Sequence, residues 1–269
     1  MNIRSKISGW LRKLNLLSAA ERTRFYLQKI RFKNRNSDFG KEHPDFVLPP
    51  EFFIYETYRL NYQEYYEDGK NSAEEIVELF SKHFNIYDPG IKILDWGCGP
   101  GRIVRHFPLL LPNAEIYGTD YNKEYIKWCD ENLKGINFSL NNIDPPANYK
   151  ESFFDAVIGL SIFTHLSEKN HFEWIRELHR ILKVGGRLIL TTQGNAYYSR
   201  LTGQEKKLFD SSKLIIREYS DEGNRLYSSF QPVIFMKELI SGKFEIIEFI
   251  AGKTENDKPS QDTWLLKKT

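Results

Sequence analysis

Residues 91–102, IKILDWGCGPGR, constrain this chain more than the rest of it together. An apolar run (Ile91, Ile93, Leu94) ends in Asp95. Glycines then occupy alternate positions at Gly97, Gly99 and Gly101, and Ile103, Val104 and Phe107 follow at helical spacing. The pattern predicts a strand, a tight loop and a helix. Glycine in such a loop permits positive φ and lets bare backbone approach a ligand. A second strand pattern, 115–119, ends in Asp120, nineteen residues beyond Gly101. At the end of a neighbouring parallel strand, that acid reaches the ribose hydroxyls of a nucleoside held over the glycine loop.

The spacing narrows the nucleoside. A dinucleotide fold calls for G-x-G-x-x-G with the pyrophosphate on a helix N-terminus, whereas this loop reads G-x-G-x-G behind Asp95. A carboxylate there repels a pyrophosphate and favours an ammonium group. A nucleoside joined to an amino acid satisfies both acids, and S-adenosylmethionine is such a molecule. The glycine spacing disfavours a nicotinamide cofactor.

Over residues 73–268 the chain resembles the Rossmann-like, or class I, S-adenosylmethionine-dependent methyltransferases. Four segments carry the resemblance in order: the glycine loop with Asp95, the strand ending at Asp120, FDAVIGLSIFTHL at 154–166, and LHRILKVGGRLILTT at 178–192. The resemblance implies an α/β fold, a seven-stranded, mostly parallel, doubly wound sheet with an antiparallel last strand. A helical extension precedes the sheet and an insert follows strand five. It also implies S-adenosyl-L-methionine as cofactor. Gly97, Gly99 and Gly101 would lie against its amino-acid moiety, Asp95 near the ammonium, Asp120 on the ribose diol and Tyr121 beside the adenine. After the third strand come Asn141, Asn142 and Ile143, where many relatives place an acid-containing pair. The Asn142 side-chain oxygen can accept a hydrogen bond from the adenine amino group without charge. Ser161, at the end of the fourth strand, would line the cofactor or the acceptor.

His165 is the candidate general base, because imidazole takes a proton near neutral pH. The competing reading is a brace for the loop into the next helix. Gln193, at the end of the fifth strand, cannot serve as a base. His83, His106, His171 and His179 lie in helical patterns and read as surface or packing residues. The chemistry is an in-line displacement at a methyl carbon, so holding donor and acceptor in near-attack geometry supplies most of what is needed. A base is required only for a nucleophile that must lose a proton, such as a sugar hydroxyl.

The organisation divides into a basic helical extension, 1–70, and the methyltransferase domain, 71–269. Residues 1–42 hold eleven Lys or Arg against three acids, a charge of +8, while the whole chain carries only +2 and the remainder therefore −6. Ile3, Ile7, Trp10, Leu11 and Leu14 recur at helical spacing among Arg4, Lys6, Arg12 and Lys13. This reads as a foot on anionic lipid headgroups, or as a helix packed on its own domain or on a second subunit of a homodimer. Aromatics crowd 52–66, where one tyrosine could close over the ligand, and Ser72 with Glu75 reads as a capping box opening the next helix. Further helices are expected over 122–133, with Ile126, Cys129 and Leu133 buried, and from Ser167 to the Gly185-Gly186 pair. Strands are expected at 137–140, 156–160 and 187–192, with 244–250 and 263–267 as a reversed final pair. Cys98 and Cys129 have no metal-ligand spacing, no metal is expected, and two cysteines suit a reducing cytoplasm. No run reaches the roughly 18 apolar residues of a membrane span.

The long connection 195–231, with Tyr197, Tyr198 and Arg200, is the expected acceptor-binding insert or lid. The segment DFVLPPEFFIYETYRLNYQEYY, with LSIFTHL and the ending QDTWLLKK, resembles bacterial members of the family associated with polysaccharide and glycoconjugate biosynthesis. That resemblance implies O-methylation of a sugar hydroxyl on a glycan or glycolipid, in the cytoplasm or peripherally at the inner membrane face. Two alternatives stay open: methylation of tRNA, supported only by the basic arm, or of another small molecule, and non-catalytic binding of S-adenosylmethionine. Without a separate RNA-binding module, nucleic acid is the weaker partner.

Overall fold

Two apolar cores, one on each face of a single sheet, follow from strands whose neighbouring residues point opposite ways. The computed structural model describes residues 17–269, in two compact units that divide at Gly69 and Lys70. In the second unit the strands are β1 (Lys92–Trp96), β2 (Glu115–Asp120), β3 (Ile136–Leu140), β4 (Phe154–Gly159), β5 (Leu182–Thr192), β8 (Phe244–Ile250) and β11 (Asp262–Lys268). Their order is β3-β2-β1-β4-β5-β11-β8. Six strands run parallel, and β11 is antiparallel to both neighbours. Only one strand is therefore reversed, not a pair. Leu94, Val157, Leu188, Leu190, Trp264 and Leu266 enter one core, and Ile93, Ala156, Ile158, Ile189 and Leu265 the other. Burial on both faces is what a doubly wound sheet requires of its central strands.

The order reverses at β1, which pairs with β2 on one side and β4 on the other. In open α/β sheets the crevice beyond the strand ends at such a switch point receives the ligand. The glycine loop leaves β1 there.

The first unit has its own helices, α1 (Leu17–Glu42) and α2 (Glu51–Thr57), and α3 (Tyr62–Ser81) runs on into the second unit. Its core is aromatic: Tyr55 and Tyr65 are buried with Ile54 and Leu60, and Phe25, Phe46, Tyr58 and Tyr62 pack around them. The cationic foot expected over residues 3–14 lies outside the described residues.

Some sequence expectations are corrected. The helix over 73–84 does not open at Ser72, which sits inside α3; the side chain of Asn61 accepts from Glu64 N at 3.4 Å in its first turn instead. The glycine loop leads into a 3-10 turn at Val104–His106 and a single turn α4, Phe107–Leu110. Pro108 lies in the first turn of α4, and Leu111 leaves helical backbone. α5 (Lys123–Asn132) buries Tyr125 and Cys129, with Asn122 capping Glu124 N and Tyr125 N. Ser167 caps α6 (Glu168–Ile181) as expected, accepting from Asn170 N at 3.2 Å. α6 ends before the Gly185-Gly186 pair, because Leu182 already pairs with Phe154 in the sheet. The glycines instead form an irregularity inside β5, with Gly185 at φ +76°.

The connection after β5 folds into its own small layer. It holds a 3-10 turn at Asn195–Arg200, α7 (Gly203–Asp210) and a hairpin of β6 (Ile215–Glu218) with β7 (Tyr227–Phe230). Leu201, Phe209, Ile215 and Phe230 form its core. Thr202 and Glu205 close a reciprocal capping box on α7. α8 (Val233–Ile240) then returns to the main core, and a two-stranded turn, β9 (Thr254–Glu255) with β10 (Lys258–Pro259), precedes β11.

Candidate active site

The glycine loop is held by backbone. Gly97 N and Cys98 N both donate to Thr119 O, at 2.7 and 2.9 Å, and Gly101 N donates to Cys98 O at 3.1 Å. Gly97, Gly99 and Gly101 have φ of +78°, +55° and +74°. A Cβ at Gly97 would lie 2.0 Å from Ile162 Cδ1, and one at Gly101 2.4 Å from Leu133 Cδ1. Both positions thus favour glycine for conformation, and any larger residue would also have to displace the Ile162 or Leu133 side chain. Beneath the loop, the buried thiols of Cys98 and Cys129 rest against Gly99 O at 3.5 and 3.6 Å.

Two buried carboxylates face this loop's surroundings. Asp120 is 7% exposed; its Oδ2 accepts from Gly99 N at 2.9 Å and its Oδ1 from Asn122 N at 2.8 Å. Burial pushes its pKa up to about 6, against the opposing pull of those backbone N–H groups. Asp95 is 5% exposed and is pushed up to about 7, chiefly by burial, with Arg102 pulling it down and Asp120 pushing it further up. Burial disfavours the charged form of an acid, and a nearby cation restores it. The pair is matched to a ligand that brings positive charge. A carboxylate has about four lone-pair sites, so Asp120 can hold the loop and still accept from a diol.

On the next strand end, Thr119 Oγ1 lies 2.8 Å from Ser139 O and 2.9 Å from Asn141 Oδ1, and Asn141 Nδ2 donates to Asn142 O at 2.6 Å. Asn141 therefore positions backbone, while the Asn142 side chain is exposed. Tyr121 and Ile143 meet the insert. A Cβ on Gly223, at φ +85°, would stand 2.6 Å from Ile143 Cδ1 and 3.0 Å from Tyr121 Cε1. Gly223 N donates to His165 O at 2.9 Å, and Glu222 Oε1 accepts from Ser167 N at 2.5 Å and from Asn170 Nδ2 at 3.0 Å. Residues 222–223 thus clip the insert to the start of α6 and lay it on Tyr121 and Ile143. Sequence reasoning missed both; the only local signal is the turn-forming run SDEGN.

Residues 93–186 match the sequence profile of a methyltransferase domain family. Among solved structures, a S-adenosylmethionine-dependent methyltransferase from Methanosarcina mazei is 19% identical. It superposes with a TM-score of 0.53, over 71% of this chain and 96% of that one. Magnesium protoporphyrin IX methyltransferase from Synechocystis, solved with S-adenosylhomocysteine, is 13% identical with a TM-score of 0.54, over 91% of this chain and 99% of that one. The fold is the Rossmann-like methyltransferase fold. Among curated relatives, the malonyl-[acyl-carrier protein] O-methyltransferase of Bacillus cereus is 24% identical over 174 residues, 64% of this chain and 62% of the relative. The chain spans about three-fifths of the length of that relative.

In this methyltransferase fold the residues beyond β4 and β5 line the remaining side of the crevice. Ser161 adopts φ +63°, a left-handed conformation uncommon outside glycine. Its N donates to Thr191 Oγ1 at 2.7 Å and its Oγ to Gln261 Oε1 at 3.0 Å. His165 Nδ1 donates to Tyr227 O at 2.6 Å, which fixes Nε2 as the ring's acceptor nitrogen. Burial holds its pKa below the ordinary histidine value, so the ring is neutral at pH 7. His165 thus braces the hairpin in a fixed tautomer.

Behind it, Gln193 and Gln231 exchange hydrogen bonds: Gln193 N donates to Gln231 Oε1 at 2.9 Å, and Gln231 N to Gln193 O at 3.0 Å. Gln231 Nε2 then donates to Phe163 O at 2.8 Å and to His171 Nε2 at 3.1 Å. His171 is fully buried, pushed down to about 4 by burial, and donates through Nδ1 to Ser167 O. It is a packing residue.

The three insert residues singled out for the acceptor are placed differently from one another. Tyr197 is half-buried against Phe230. Tyr198 donates through its hydroxyl to Asp210 Oδ2 at 2.9 Å, and Arg200 donates to Asp257 O at 2.9 Å. Asp262, at the start of β11, escaped sequence reasoning altogether. It is 1% exposed, its Oδ1 accepts from Gly252 N at 2.7 Å, and its Oδ2 is buried with no hydrogen-bond partner among the described residues.

Proposed function

We propose that this chain is a S-adenosylmethionine-dependent methyltransferase that O-methylates a sugar hydroxyl of a bacterial glycan or glycolipid. The observation that carries the methyltransferase reading is the pair of buried acids, Asp95 and Asp120, at the loop where the sheet order reverses. S-adenosylmethionine supplies an electrophilic methyl group on a sulfonium together with an ammonium and a ribose diol. Asp95 answers the ammonium and draws its own charge back by doing so. Asp120 accepts from the diol while its second role, holding Gly99 N, keeps the loop shaped. Tyr121 and Ile143 flank the adenine, and Asn142 accepts from its amino group.

On the acceptor side, His165 Nε2 takes the hydroxyl proton while Tyr227 O holds the ring in the required tautomer. Ser161 and Gln261, bonded to each other, are further hydrogen-bonding partners for a polar acceptor. The tyrosines and arginines of the insert suit a hydroxylated molecule.

The reading is tested in two steps. Calorimetry should give binding of S-adenosylhomocysteine and none of NAD; the reverse result removes the cofactor assignment. A labelled-methyl screen over nucleotide sugars, lipid-linked glycans, RNA and small phenols should then label a glycan. Label in RNA or a phenol alone overturns the sugar acceptor but keeps the methyltransferase. Binding without label in any class points to a non-catalytic protein.

A further inference from the structure

α1 has two faces of different character. One packs on its own unit: Phe25 stacks edge-on to Phe52 and Tyr55 with ring centroids 5.4 Å away in each case. Gln28 Oε1 accepts from Leu60 N at 3.1 Å, Asn36 bonds Leu60 O and Tyr62 N at 3.1 and 3.0 Å, and Phe39 is 2% exposed. Residues 25, 28, 32, 36 and 39 thus share one side at helical spacing. Away from that side stand Tyr26, Leu27 and Ile30, exposed by 62, 60 and 74%. Their spacing places them together on one strip of the helix.

The charges around that strip are all of one sign. Between Glu21 and Asp38 there is no acid, and Arg22, Arg24, Lys29, Arg31, Lys33 and Arg35 fall in the interval. Arg24 and Lys29 are paired with Glu21 and Glu51. Arg22, Arg31, Lys33 and Arg35 are exposed and carry no ion pair among the described residues. No described helix is long and apolar enough to cross a membrane.

We infer that the outward face of α1 is a docking surface for an anionic lipid bilayer, on which the helix lies rather than inserts across it. Exposed leucine and isoleucine gain from burial at the headgroup–acyl boundary while the flanking cations meet lipid phosphates. Nucleic acid would reward the cations, but its phosphate backbone offers nothing to Leu27 and Ile30. A second copy of this chain would bring two like-charged faces together, which costs energy. Each cation near an anionic surface contributes roughly a fivefold gain in partitioning, and salt screens it.

The test uses the full chain and vesicles of phosphatidylglycerol with phosphatidylcholine, beside vesicles of phosphatidylcholine alone. The chain should sediment with the anionic vesicles, remain in solution with the neutral ones, and be released as salt rises. R22Q/R31Q/K33Q should weaken partitioning on the order of a hundredfold. L27Q/I30Q should weaken it about tenfold or more. These side chains are exposed, so thermal melting should stay unchanged, and Ile30→Trp should strengthen binding without risk to folding. Failure of the wild type to sediment with anionic vesicles overturns the inference. So does binding that neither multiple variant alters, or loss of RNA binding or of a dimer in those variants with vesicle binding intact. The surface is read by sedimentation without turnover, so its failure leaves the methyltransferase reading untouched.

Discussion

The glycine-loop side of the methyltransferase fold, at the ends of β1, β2 and β3, and the side proposed for the acceptor, at the ends of β4, β5 and β11, are assembled by different means. On the first, most restraints are backbone to backbone or run from a carboxylate to backbone, as from Gly99 N to Asp120. On the second, side chains join segments far apart in the chain: Ser161 with Gln261, His165 with Tyr227, Gln193 with Gln231. A cofactor shared by many enzymes can be met by a fixed backbone shape. An acceptor peculiar to one enzyme is met by side chains that can be exchanged singly. The two sides should therefore separate experimentally.

The largest separation should come from His165. His165→Ala is expected to lower kcat by roughly 10² to 10⁴ while calorimetric affinity for S-adenosylhomocysteine hardly changes. Equal loss of both would make the residue a brace and remove the base from the acceptor side. Asp120→Ala should do the opposite, weakening S-adenosylhomocysteine by about 10- to 100-fold, since a hydrogen bond to a charged group contributes about 1.5–3 kcal/mol. Unchanged affinity in calorimetry would take Asp120 off the ribose.

The acids also predict a pH dependence. With Asp95 pushed up to about 7, little of it is ionised at pH 6 and most of it at pH 8. Affinity for S-adenosylhomocysteine should therefore rise about tenfold across that interval, and Asp95→Asn should bind weakly, keeping only the shallower rise that Asp120, at about 6, contributes. The sign for stability is reversed. The folded protein binds more protons than the unfolded chain between the ordinary aspartate range and about 7, so the ligand-free Tm should fall as pH rises through that window. A wild-type affinity indifferent to pH would mean that Asp95 does not face the ammonium.

The smallest effect is expected where the two sides touch. Glu222→Gln keeps size but weakens the acceptor for Ser167 N and Asn170 Nδ2, and should raise the cofactor Kd by only a few-fold. A loss as large as that of Asp120→Ala would show that the insert belongs to the cofactor side after all.

What was legible in the sequence follows the same division. The glycine loop, Asp120, the cap at Ser167 and the alternating strands are local patterns, and each appears where its spacing places it. The helix expected after the glycine loop shrank to a single turn, because Pro108 and the nonhelical Leu111 bound it. A short turn provides little of the aligned dipole a pyrophosphate would use, in keeping with the reading of the loop. Asp262, Glu222, Gly223 and Gln231 left no such trace. Glu222, Gly223 and Gln231 matter through partners dozens of residues away, and Asp262 through a turn ten residues back, contacts that neither periodicity nor a motif registers. Tyr198 and Arg200 attracted notice as polar side chains in a long connection. In the structure, their contacts are with Asp210 and with Asp257 O.

The bonds between Gln193, Gln231 and His171 carry a consequence for anyone who would retarget such an enzyme by exchanging its insert. The ends of β5 and β7 meet in the domain's buried interior, where Gln231 Nε2 satisfies the backbone of Phe163 and the ring of His171, and Ser229 Oγ donates to Leu166 O. A graft cut at the strand ends would carry off half of a solvent-free polar network, and the recipient would lose the fold before it gained a new specificity. The transferable unit begins inside the insert, at Thr202 on one side and before β7 on the other. Within those limits Glu222 and Gly223 must stay, because they tie the insert to Ser167, Asn170 and His165.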